Sequence, residues 1–576
     1  MRSTFRAHAA LAGAAAAVAV PATADGATPI QRENRRAGTP VQRVLGSRSP
    51  EVEGYTSEIS YLPGQRVTLH VSAPEGSRYR VSVYRLGWYR GRGARLVGCV
   101  PNCMGSASGH RYPTPPPDPL TGEIRAEWPV TGSFRLPADA VSGYYVARLE
   151  VLAPRRLASI VPFIVRPPAR RPTRILVQVP VNTWQAYNSW GGKSLYPFVS
   201  AAAVKVSFDR PYDWHLPGGQ ALADWELPFV RFVEREGYDV SYQTDVDTDR
   251  APRSLLRHRL VVALGHGEYW TSRMRTAFDT ARELSTNLAF LGANIGYWQV
   301  RYENDGRTLV AYKSKEYDPE PDPALKTWLF RDLTPPRAEC MLLGIQHQGG
   351  PLTWPRADYE VERASLKDPW FAGTGFTATS KVVGVVSVEH DEIPTGNTAA
   401  WSCNNNLTVL FQHQGPEFGE SAQAVRYVHP SGARVFSAGS LEFVWGLDGY
   451  RVGAEGRKTP VDTRLQRFMR NALADLQRPA HPLAVDATAR GARVTVRVDR
   501  ARDPRVGFVL VARKATTRKF AVGGKGVRLV CRTLRATCSD TPGRPGVYRY
   551  GAVVVDRWGH SSAFYSAPVR VKAQGR

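Results

Sequence analysis

Residues 260–270 have the sequence Leu-Val-Val-Ala-Leu-Gly-His-Gly-Glu-Tyr-Trp, in which a short apolar run leads into a polar turn. The apolar run predicts a buried strand from Leu260 to Leu264. After the turn, apolar side chains at helical spacing predict a helix from Ser272 to Glu283. Strand, turn and helix in this succession are the unit from which an α/β sheet is built.

The pattern then repeats. A second strand is predicted from Asn287 to Leu291, and the turn from Gly292 to Trp298 ends, like the first, in Tyr-Trp. In an open α/β sheet, ligands bind at the carboxyl ends of the strands, beside the point where the strand order reverses. The two turns therefore predict the position of an active site.

Further segments place these two strands in a larger α/β domain at 172–478. Alternating strands and helices favour right-handed crossovers and a mostly parallel sheet, of a glutamine-amidotransferase-like kind. The predicted strands and helices of this domain, besides those above, are Ile175 to Val179, a helix from Leu227 to Glu236 that Gly237 ends, Tyr238 to Tyr242, Lys381 to Val388, Thr408 to Phe411, Arg434 to Ser440, and a helix from Thr463 to Leu476.

The flanking regions are predicted to be β-rich. Period-two alternation, punctuated by Pro and Gly, predicts an N-terminal β-sandwich at 51–167, with a structural role favoured over carbohydrate binding. Residues 480–576 resemble a fibronectin type III or other immunoglobulin-like β-sandwich, expected to be a spacer or a wall- or polymer-facing module. Residues 25–50 lack an apolar period and are predicted to be a linker.

The N-terminus and the cysteines indicate export. A basic start, an apolar run and a small-residue cleavage site predict a signal peptide at 1–24, and no segment is a candidate membrane span. An even number of cysteines in an exported chain favours disulfides. The plausible pairs are Cys99 with Cys103, Cys340 with Cys403, and Cys531 with Cys538. A secreted protein, free or associated with the cell wall, is therefore expected.

The formal net charge of +25 does not by itself indicate a nucleic-acid partner. The excess is mostly Arg, scattered from end to end without a basic block, whereas nucleic-acid binding requires a clustered footprint. A general preference for Arg over Lys is the favoured interpretation, and no nucleic-acid partner is expected.

Several catalytic classes lack their motifs. There is no Gly-x-Ser-x-Gly elbow at a strand exit, no cysteine in the turn at 265–270, and no phosphate-loop or dinucleotide fingerprint. The remaining candidates are Tyr269, Tyr297 and a nearby carboxylate. Phenolate and carboxylate are hard oxygen donors that favour ferric iron, although a buried tyrosine is more often a core aromatic.

The region from Ile175 to about Leu447 resembles the large (beta) subunit family of N,N-dimethylformamidase. The resemblance rests on specific segments, and on Leu86-Gly87-Trp88-Tyr89 in the sandwich. The segments are Asn182-Thr183-Trp184-Gln185-Ala186-Tyr187-Asn188-Ser189-Trp190-Gly191-Gly192-Lys193-Ser194-Leu195-Tyr196, the Gly265 to Trp270 turn, and the Gly292 to Arg301 turn.

The resemblance implies a mononuclear ferric ion, Fe(III), held by two Tyr and one Glu, and hydrolysis of a small amide. Tyr269 and Tyr297 match the two Tyr positions, and Glu389 best matches the Glu, with Glu442 as the reserve. The family has a His two positions before this Glu, where the present chain has Ser387, so the substrate is left open. A small-molecule amide substrate is expected, with a separate small subunit or a homo-oligomer as open alternatives.

Proton transfer is assigned to the first turn. His266 or Glu268, next to Tyr269, could move the proton, unless Glu268 is exposed and His266 bonds the backbone. Four side chains in the family segments are expected to bind substrate: Asn182, Tyr187, Asn294 and Trp298. The hypothesis is a secreted iron-dependent hydrolase of a C–N amide bond. Its alternative is a non-catalytic secreted surface- or polymer-binding protein with a degenerate enzyme-like core.

Overall fold

The computed structural model describes most of the chain between residues 27 and 572. The larger compact unit spans Thr28–Ala480, and the smaller includes His481–Arg576. The predicted signal peptide at 1–24 and Ser387 lie outside the described residues. The described ranges are 27–46, 48–213, 221–348, 357–386, 389–395, 403–404, 406–415, 420–450, 459–478, 485–498, 506–520, 526–533, 536–556 and 561–572.

The larger unit begins with a sandwich of two β-sheets. One sheet has the order β1-β6-β5-β9-β10-β3, with β7 paired to β5, and the other has the order β2-β4-β8. Alternate side chains such as Val67, Leu69 and Val71 point into the core between the sheets. The strands are β1 (Thr39–Pro40), β2 (Glu53–Thr56), β3 (Ser60–Tyr61), β4 (Arg66–Ser72), β5 (Arg78–Leu86), β6 (Gly93–Val100), β7 (Ala107–Ser108), β8 (Gly132–Arg135), β9 (Gly143–Ala153) and β10 (Leu157–Val165).

The segment predicted to be a linker, 25–50, is folded where the structure describes it. It forms two short helices, α1 (Pro29–Asn34) and α2 (Val41–Leu45). The side chains of Ile30 and Val44 are buried in the main core. Short helices separated by Pro and Gly leave too few apolar residues to show a period, and composition therefore suggested a linker.

A nine-stranded sheet forms the centre of the larger unit, in the order β13-β11-β14-β16-β23-β22-β21-β19-β20. The first five strands pair in parallel. The remaining pairings are antiparallel. Its strands are β11 (Ile175–Val179), β13 (Val240–Thr244), β14 (Leu260–Leu264), β16 (Asn287–Leu291), β19 (Ala357–Val361), β20 (Lys381–Val386), β21 (Thr408–His413), β22 (Ala422–Val428) and β23 (Arg434–Ser437), and β12, the strand between the first two, belongs to a smaller sheet.

The mostly parallel sheet predicted from the sequence is therefore a mixed sheet. Segments containing helices join the first strands, and the parallel pairing of these strands agrees with the prediction, whereas the glutamine-amidotransferase-like domain stays a prediction. Beyond β16, the strands β19 to β23 are connected mainly by loops and pair antiparallel, which needs no helical crossover. The individual segments at 260–264, 287–291 and 175–179 form strands with the predicted bounds.

Helices cover the sheet and close its ends. The helices predicted at 272–283 and 463–476 have those bounds, and the one predicted from Leu227 ends at Arg235, with Gly237 at φ 76° after it. They are α3 (Val181–Ala186), α4 (Leu227–Arg235), α5 (Asp245–Arg250), α6 (Ser272–Glu283), α7 (Cys340–Leu343) and α8 (Thr463–Leu476), with a π-helical turn at Leu222–Glu226 and 3-10 turns at Tyr89–Gly91, Trp190–Gly192, Pro252–Arg257, Asn304–Gly306, Phe330–Asp332, Arg363–Lys367, Pro369–Phe371 and Leu441–Leu447.

A smaller sheet stands at the exits of β14 and β16. It has the order β12-β18-β17-β15 and consists of β12 (Lys205–Ser207), β15 (Tyr269–Thr271), β17 (Trp298–Glu303) and β18 (Thr308–Val310). Of the Tyr-Trp pairs predicted to lie in turns, the first thus begins β15, and Trp298 of the second begins β17, with Tyr297 just before it. Two aromatic residues followed by β-branched residues favour a strand, a signal that the Gly-rich turn before them obscured.

Buried polar contacts join the sandwich to the α/β region. The guanidinium of Arg85 on β5 contacts the carboxylate of Glu234 on α4 at 2.7 Å, and both side chains are fully buried. The hydroxyl of Tyr144 on β9 donates to Glu226 at 2.7 Å. The sandwich therefore shares a core with the α/β region, and Ile164 and Val177 belong to one cluster.

The smaller unit is a second β-sandwich around a compact apolar core. Its sheets have the orders β24-β25-β28 and β27-β26-β29-β30, with β31 paired to β29. Val494, Val511 and Tyr550 are among its fully buried side chains. The strands are β24 (Val485–Arg490), β25 (Arg493–Val498), β26 (Val506–Lys514), β27 (Arg528–Thr533), β28 (Thr537–Asp540), β29 (Gly546–Asp556), β30 (Ser561–Tyr565) and β31 (Val569–Val571).

The three predicted disulfides are confirmed. They join Cys99 to Cys103, Cys340 to Cys403, and Cys531 to Cys538. Among the described residues, no helix combines the length and the apolar character that a membrane crossing requires. Both findings are compatible with an extracellular protein.

Candidate functional site

The exits of β14 and β16 are fused through their backbones. The amide of Gly265 donates to the carbonyl of Leu291 at 2.9 Å, and the amide of Gly296 donates to the carbonyl of Gly267 at 2.9 Å. A Cβ atom on Gly292 would stand only 2.0 Å from the carbonyl oxygen of Gly265. Glycine is therefore required at 292 by close backbone approach, and the two turns form one floor.

Beyond this floor, strands β15 and β17 pair in parallel, and their register is offset by one residue from the alignment of the two Tyr-Trp pairs. Tyr269 on β15 lies opposite Trp298 on β17. The amide of Tyr297 donates to the carbonyl of Glu268 at 3.0 Å. Glu268, rather than Tyr269, is therefore the backbone neighbour of Tyr297.

Three titratable side chains meet above the floor. Nε2 of His266 lies 3.4 Å from Oε2 of Glu268 and 3.7 Å from Oε1 of Glu389. Among the described residues, neither Nε2 of His266 nor Oε2 of Glu268 has a hydrogen-bond partner, although both are buried. A buried polar atom without a partner is unfavourable, so these two atoms mark a place where a ligand can bind.

The alternative in which Glu268 is exposed at the turn is wrong, because only 2% of this residue is exposed. Its amide donates to the hydroxyl of Thr183 at 3.1 Å, which fixes the turn against α3. Burial lowers the pKa of His266, and the nearby Glu268 raises it. A neutral imidazole is thus favoured in the free protein.

Tyrosine hydroxyls connect Glu268 to Tyr269. The Tyr269 hydroxyl donates to the Tyr196 hydroxyl at 2.6 Å, and Tyr196 donates to Oε1 of Glu268 at 2.6 Å. Burial, reinforced by Glu268, raises the pKa of Tyr269 well above its usual value. Tyr187 lies against Tyr196 and His266, with ring centroids 4.5 and 5.5 Å away. The phenols are therefore protonated donors in a continuous chain that ends at Glu268.

Glu389 enters the site from the segment after β20. Asn294 donates its side-chain amide to Oε2 of Glu389 at 3.2 Å, and its backbone amide donates to Asp391 at 2.8 Å. Asn294 has a φ of 53°, a left-handed conformation that asparagine tolerates. Burial, with the charges of Glu268 and Asp391, raises the pKa of Glu389 well above its usual range. Asn294 thus joins the second turn to Glu389.

Tyr297 occupies a more open position than Tyr269. It is half-buried, and its ring faces the guanidinium of Arg331 at 5.1 Å and the imidazole of His347 at 5.8 Å. Burial raises the pKa of Tyr297, and Arg331 opposes this. His347 donates from Nδ1 to the carbonyl of His390 at 2.9 Å, and its Nε2 lies 3.6 Å from Oε2 of Glu389.

Of the remaining predicted residues, Asn182 stabilises the backbone of the site and Trp298 lines it. Asn182 is fully buried, and its amide donates to the carbonyl of Tyr269 at 2.9 Å, so it braces the strand from behind. Trp298 is half-buried beside Tyr297. The reserve ligand Glu442 is buried, and its Oε2 accepts a hydrogen bond from the hydroxyl of Ser440 at 3.4 Å.

The structure adds residues that the sequence did not single out. They are Tyr196, Trp225, Lys313, Arg331 and His347, each within contact of a predicted site residue. Tyr196 stands in the quoted family segment, and its position there was an available signal. The other four come from separate loops and turns, where an isolated residue carries no pattern.

A comparison with protein families finds a match that includes this region. A family model described as N,N-dimethylformamidase beta subunit-like, C-terminal, matches residues 80–458. The chain belongs to this family. The match to the N,N-dimethylformamidase beta subunit-like family includes both strand exits and Glu389. No curated protein matches the chain.

A solved structure shows a partial likeness. The crystal structure of the PKD1 domain of Vibrio anguillarum Epp shares 16% identity with this chain. The alignment covers 16% of this chain and 94% of that one, with a TM-score of 0.11.

The residues at the site fit a hard cation in their donor chemistry. Among the described residues, no group of three His, Cys, Asp or Glu side chains is arranged to hold a metal ion, so the phenol oxygens would be needed. The hydroxyl of Tyr269 is linked through Tyr196 to Glu268, and Nε2 of His266 lies near both Glu268 and Glu389. Phenol and carboxylate oxygens are hard donors, so Tyr269, Tyr297 and Glu389 are chemically suited to a hard cation.

Proposed function

We propose that this protein is a hydrolase of a C–N amide bond, like the enzyme after which its family is named. The observation that supports this most directly is the pair of buried, unpartnered atoms, Nε2 of His266 and Oε2 of Glu268, beside Glu389. They stand at the carboxyl ends of two parallel strands, where α/β sheets bind ligands. They also lie within the part of the chain that the family model matches.

The side chains can move the protons that hydrolysis requires. A water held at Oε2 of Glu268 gives its proton to this carboxylate as its oxygen attacks the amide carbon. The same proton then passes to the amide nitrogen, and the C–N bond breaks to give a carboxylic acid and an amine. His266, 3.4 Å from Oε2 of Glu268, orients the water and the leaving nitrogen.

The walls of the site hold the amide and exclude water. Tyr187, Trp225 and Trp298 present aromatic surface next to His266 and Tyr297. Asn294 keeps Glu389 in place, and Tyr196 fixes the orientation of Glu268. Fixed hydrogen bonds of this kind keep reacting groups within reach of each other.

Tyr269, Tyr297 and Glu389 would hold the mononuclear ferric ion that the family resemblance implies. When bound, this ion supplies Lewis acidity that polarises the amide carbonyl. As a ligand, Tyr269 would give up the hydrogen bond that it donates to Tyr196, and Tyr196 would keep its own to Glu268. The proposal further includes export of the protein, and a small-subunit partner that the family name suggests.

Metal analysis and an amidase assay test the proposal together. Purified full-length protein from iron-replete medium should contain near-stoichiometric iron with a tyrosinate-to-iron absorption band. N,N-dimethylformamide and larger tertiary amides should be hydrolysed. Tyr269→Phe and Tyr297→Phe should each lose the band, whereas Tyr317→Phe, on an exposed tyrosine outside the site, should keep it.

Glu268→Gln separates proton transfer from metal binding. This variant should keep the iron and its band but lose about a hundredfold or more in kcat, the usual contribution of a general base. Iron-free, colourless protein without amidase activity would contradict the proposal. That outcome would favour the non-catalytic, surface- or polymer-binding alternative.

A further inference from the structure

Lys313 stands at the edge of the site in an unusual backbone conformation. Its φ is 51°, in the left-handed region, which a non-glycine residue adopts only where its surroundings hold it there. The residue follows β18, and its Nζ donates to the carbonyl of Leu195 at 3.2 Å. Backbone and side chain together therefore fix the position of the ammonium group.

The ammonium group lies over aromatic rings. Its Nζ is 3.6 Å from the ring centroid of Tyr196, 5.1 Å from that of Trp298 and 5.2 Å from that of Tyr269. A cation over the face of an aromatic ring is stabilised by the ring quadrupole. The rings hold the charge but offer it no acceptor oxygen, and the carbonyl of Leu195 uses only one of its three donor hydrogens.

Two other lysines of the larger unit have carboxylate partners. Lys205 pairs with Glu303, and Lys381 pairs with Glu360, each at 2.7 Å. Within the described residues, no carboxylate lies within 4.0 Å of Lys313. Lysine ordinarily carries its ammonium form at neutral pH. Lys313 is half-buried, and a cation that has lost part of its water without a carboxylate in contact is favourable only if another group satisfies it.

Lys313 and the reaction centre meet at Tyr196. The hydroxyl of Tyr196 donates to Glu268, and its ring faces Lys313. The ring of Phe198, half exposed to solvent, stacks on that of Tyr196 at 5.2 Å. A molecule with its amide at Glu268 could thus extend along Tyr196, past apolar surface, to the ammonium group.

We propose that Lys313 binds a carboxylate on the substrate, so that the enzyme acts on amides that carry an anionic group. This inference rests on the proposed amide hydrolysis and adds the substrate class. The carboxylate would form a charge-assisted hydrogen bond with Nζ at the distance that the length of Tyr196 sets. Small neutral amides would lack this contact and bind weakly.

A matched pair of substrates tests the inference. The monodimethylamide of succinate carries a carboxylate, and N,N-dimethylbutanamide is its neutral analogue of similar length. The wild-type full-length protein should hydrolyse the anionic amide with a kcat/KM at least about tenfold higher, the effect of one hydrogen bond to a charged group. Calorimetry should show the same preference in binding.

Variants assign the preference to Lys313. Lys313→Met should raise KM for the anionic amide by about tenfold or more, with kcat nearly unchanged and the neutral amide unaffected. Lys313→Arg should keep part of the preference for the anionic amide. If Lys313→Met does not fold, Lys313→Gln takes its place. Lys381→Met, on an exposed lysine of β20, is the control.

Two results would overturn the inference. One is equal kcat/KM of the wild type for the two amides, and the other is an equal loss for both amides in Lys313→Met. If neither amide is hydrolysed, the proposed function fails, and calorimetry of the anionic amide still decides the role of Lys313. Equal binding by wild type and Lys313→Met would then refute it.

Discussion

The two strand exits have almost the same sequence pattern but very different surroundings. After β14, Tyr269 is fully buried, and its hydroxyl is bonded to Tyr196. After β16, Tyr297 is half-buried, and its ring lies against Arg331 and His347. One exit therefore provides a buried hydrogen-bonded chain, and the other provides an open wall.

The difference has a geometric cause. The strands that follow the exits pair with an offset of one residue, which sets Tyr269 opposite Trp298. In a strand, neighbouring side chains point to opposite faces, so an offset of one residue exchanges the environments of equivalent positions. A repeated motif is thus not a repeated site, and Tyr269 and Tyr297 have different neighbours.

The glycines that begin the two turns should respond very differently to alanine. Gly292→Ala puts a Cβ 2.0 Å from the backbone oxygen of Gly265, which cannot move without parting the exits. We expect it to lower the free energy of unfolding by about 4 kcal/mol. Gly265→Ala, at φ 69°, puts a Cβ 3.0 Å from the side chain of Glu226 and meets no backbone atom as closely, so it should lower this free energy by about 1–2 kcal/mol.

Urea unfolding of the two variants measures both effects. Equal losses would show that the close approach at Gly292 does not determine the geometry of the floor.

Glu226, which lies under the first exit only, should make stability depend on pH. Burial raises the pKa of Glu226 from 4.5 to about 8. The folded state thus holds this proton more tightly, and the stabilisation present below pH 4.5 is lost as the pH rises through about 8. Glu226→Gln should escape this loss, which is on the order of 3 kcal/mol.

Thermal unfolding at several pH values measures this difference. Glu236→Gln is the matched control, because Arg470 lowers the pKa of Glu236 and its contribution should disappear at low pH instead. If the difference in stability between the wild type and Glu226→Gln stays the same below pH 4.5 and above pH 8, the expectation is contradicted.

The variants Tyr269→Phe and Tyr297→Phe should differ in their free energy of unfolding, even though both are expected to lose iron. Tyr269→Phe removes a buried hydroxyl that donates to Tyr196, and we expect the free energy of unfolding to fall by about 1–2 kcal/mol. Tyr297→Phe removes a hydroxyl from a half-buried ring and should change it by less than about 0.5 kcal/mol. Urea unfolding of iron-free proteins compares them, and equal values would remove the distinction between the exits.

The smallest change in stability is expected for Asn294→Gly. Glycine relieves the left-handed conformation of residue 294 but removes the hydrogen bond to Glu389. The two effects are of similar size, so the free energy of unfolding should change by less than about 0.5 kcal/mol. Amidase activity should nevertheless fall, because Glu389 loses its fixed position. Unchanged activity would show that Asn294 does not hold Glu389.

The sequence predicts the elements whose local pattern and tertiary environment agree. The strands at 260–264 and 287–291 and the helix at 272–283 have the predicted bounds, because buried strands and an amphipathic helix leave clear periodicities. The disulfides follow from cysteine spacing in the same way. The antiparallel pairing among strands β19 to β23 was not predicted, because the local sequence pattern does not encode strand direction.

The site is only partly predictable for a related reason. His266 and Glu268 stand in a turn with an evident motif, and the structure brings Glu389 next to them. Whether the three predicted metal ligands converge on one ion stays a prediction. Lys313 and His347 lie on loops with no periodic pattern, and only the folded arrangement brings them to the site.

The buried ion pair between Arg85 and Glu234 limits how this protein can be divided. A fragment that starts at the α/β region would lose Arg85 and would expose to water the apolar surface that packs against the sandwich, including Val177. A sandwich fragment would lose Glu234 instead. Expression of either part alone should therefore give aggregates, and the useful boundary for shortened versions lies after α8, with the sandwich and the α/β region kept together.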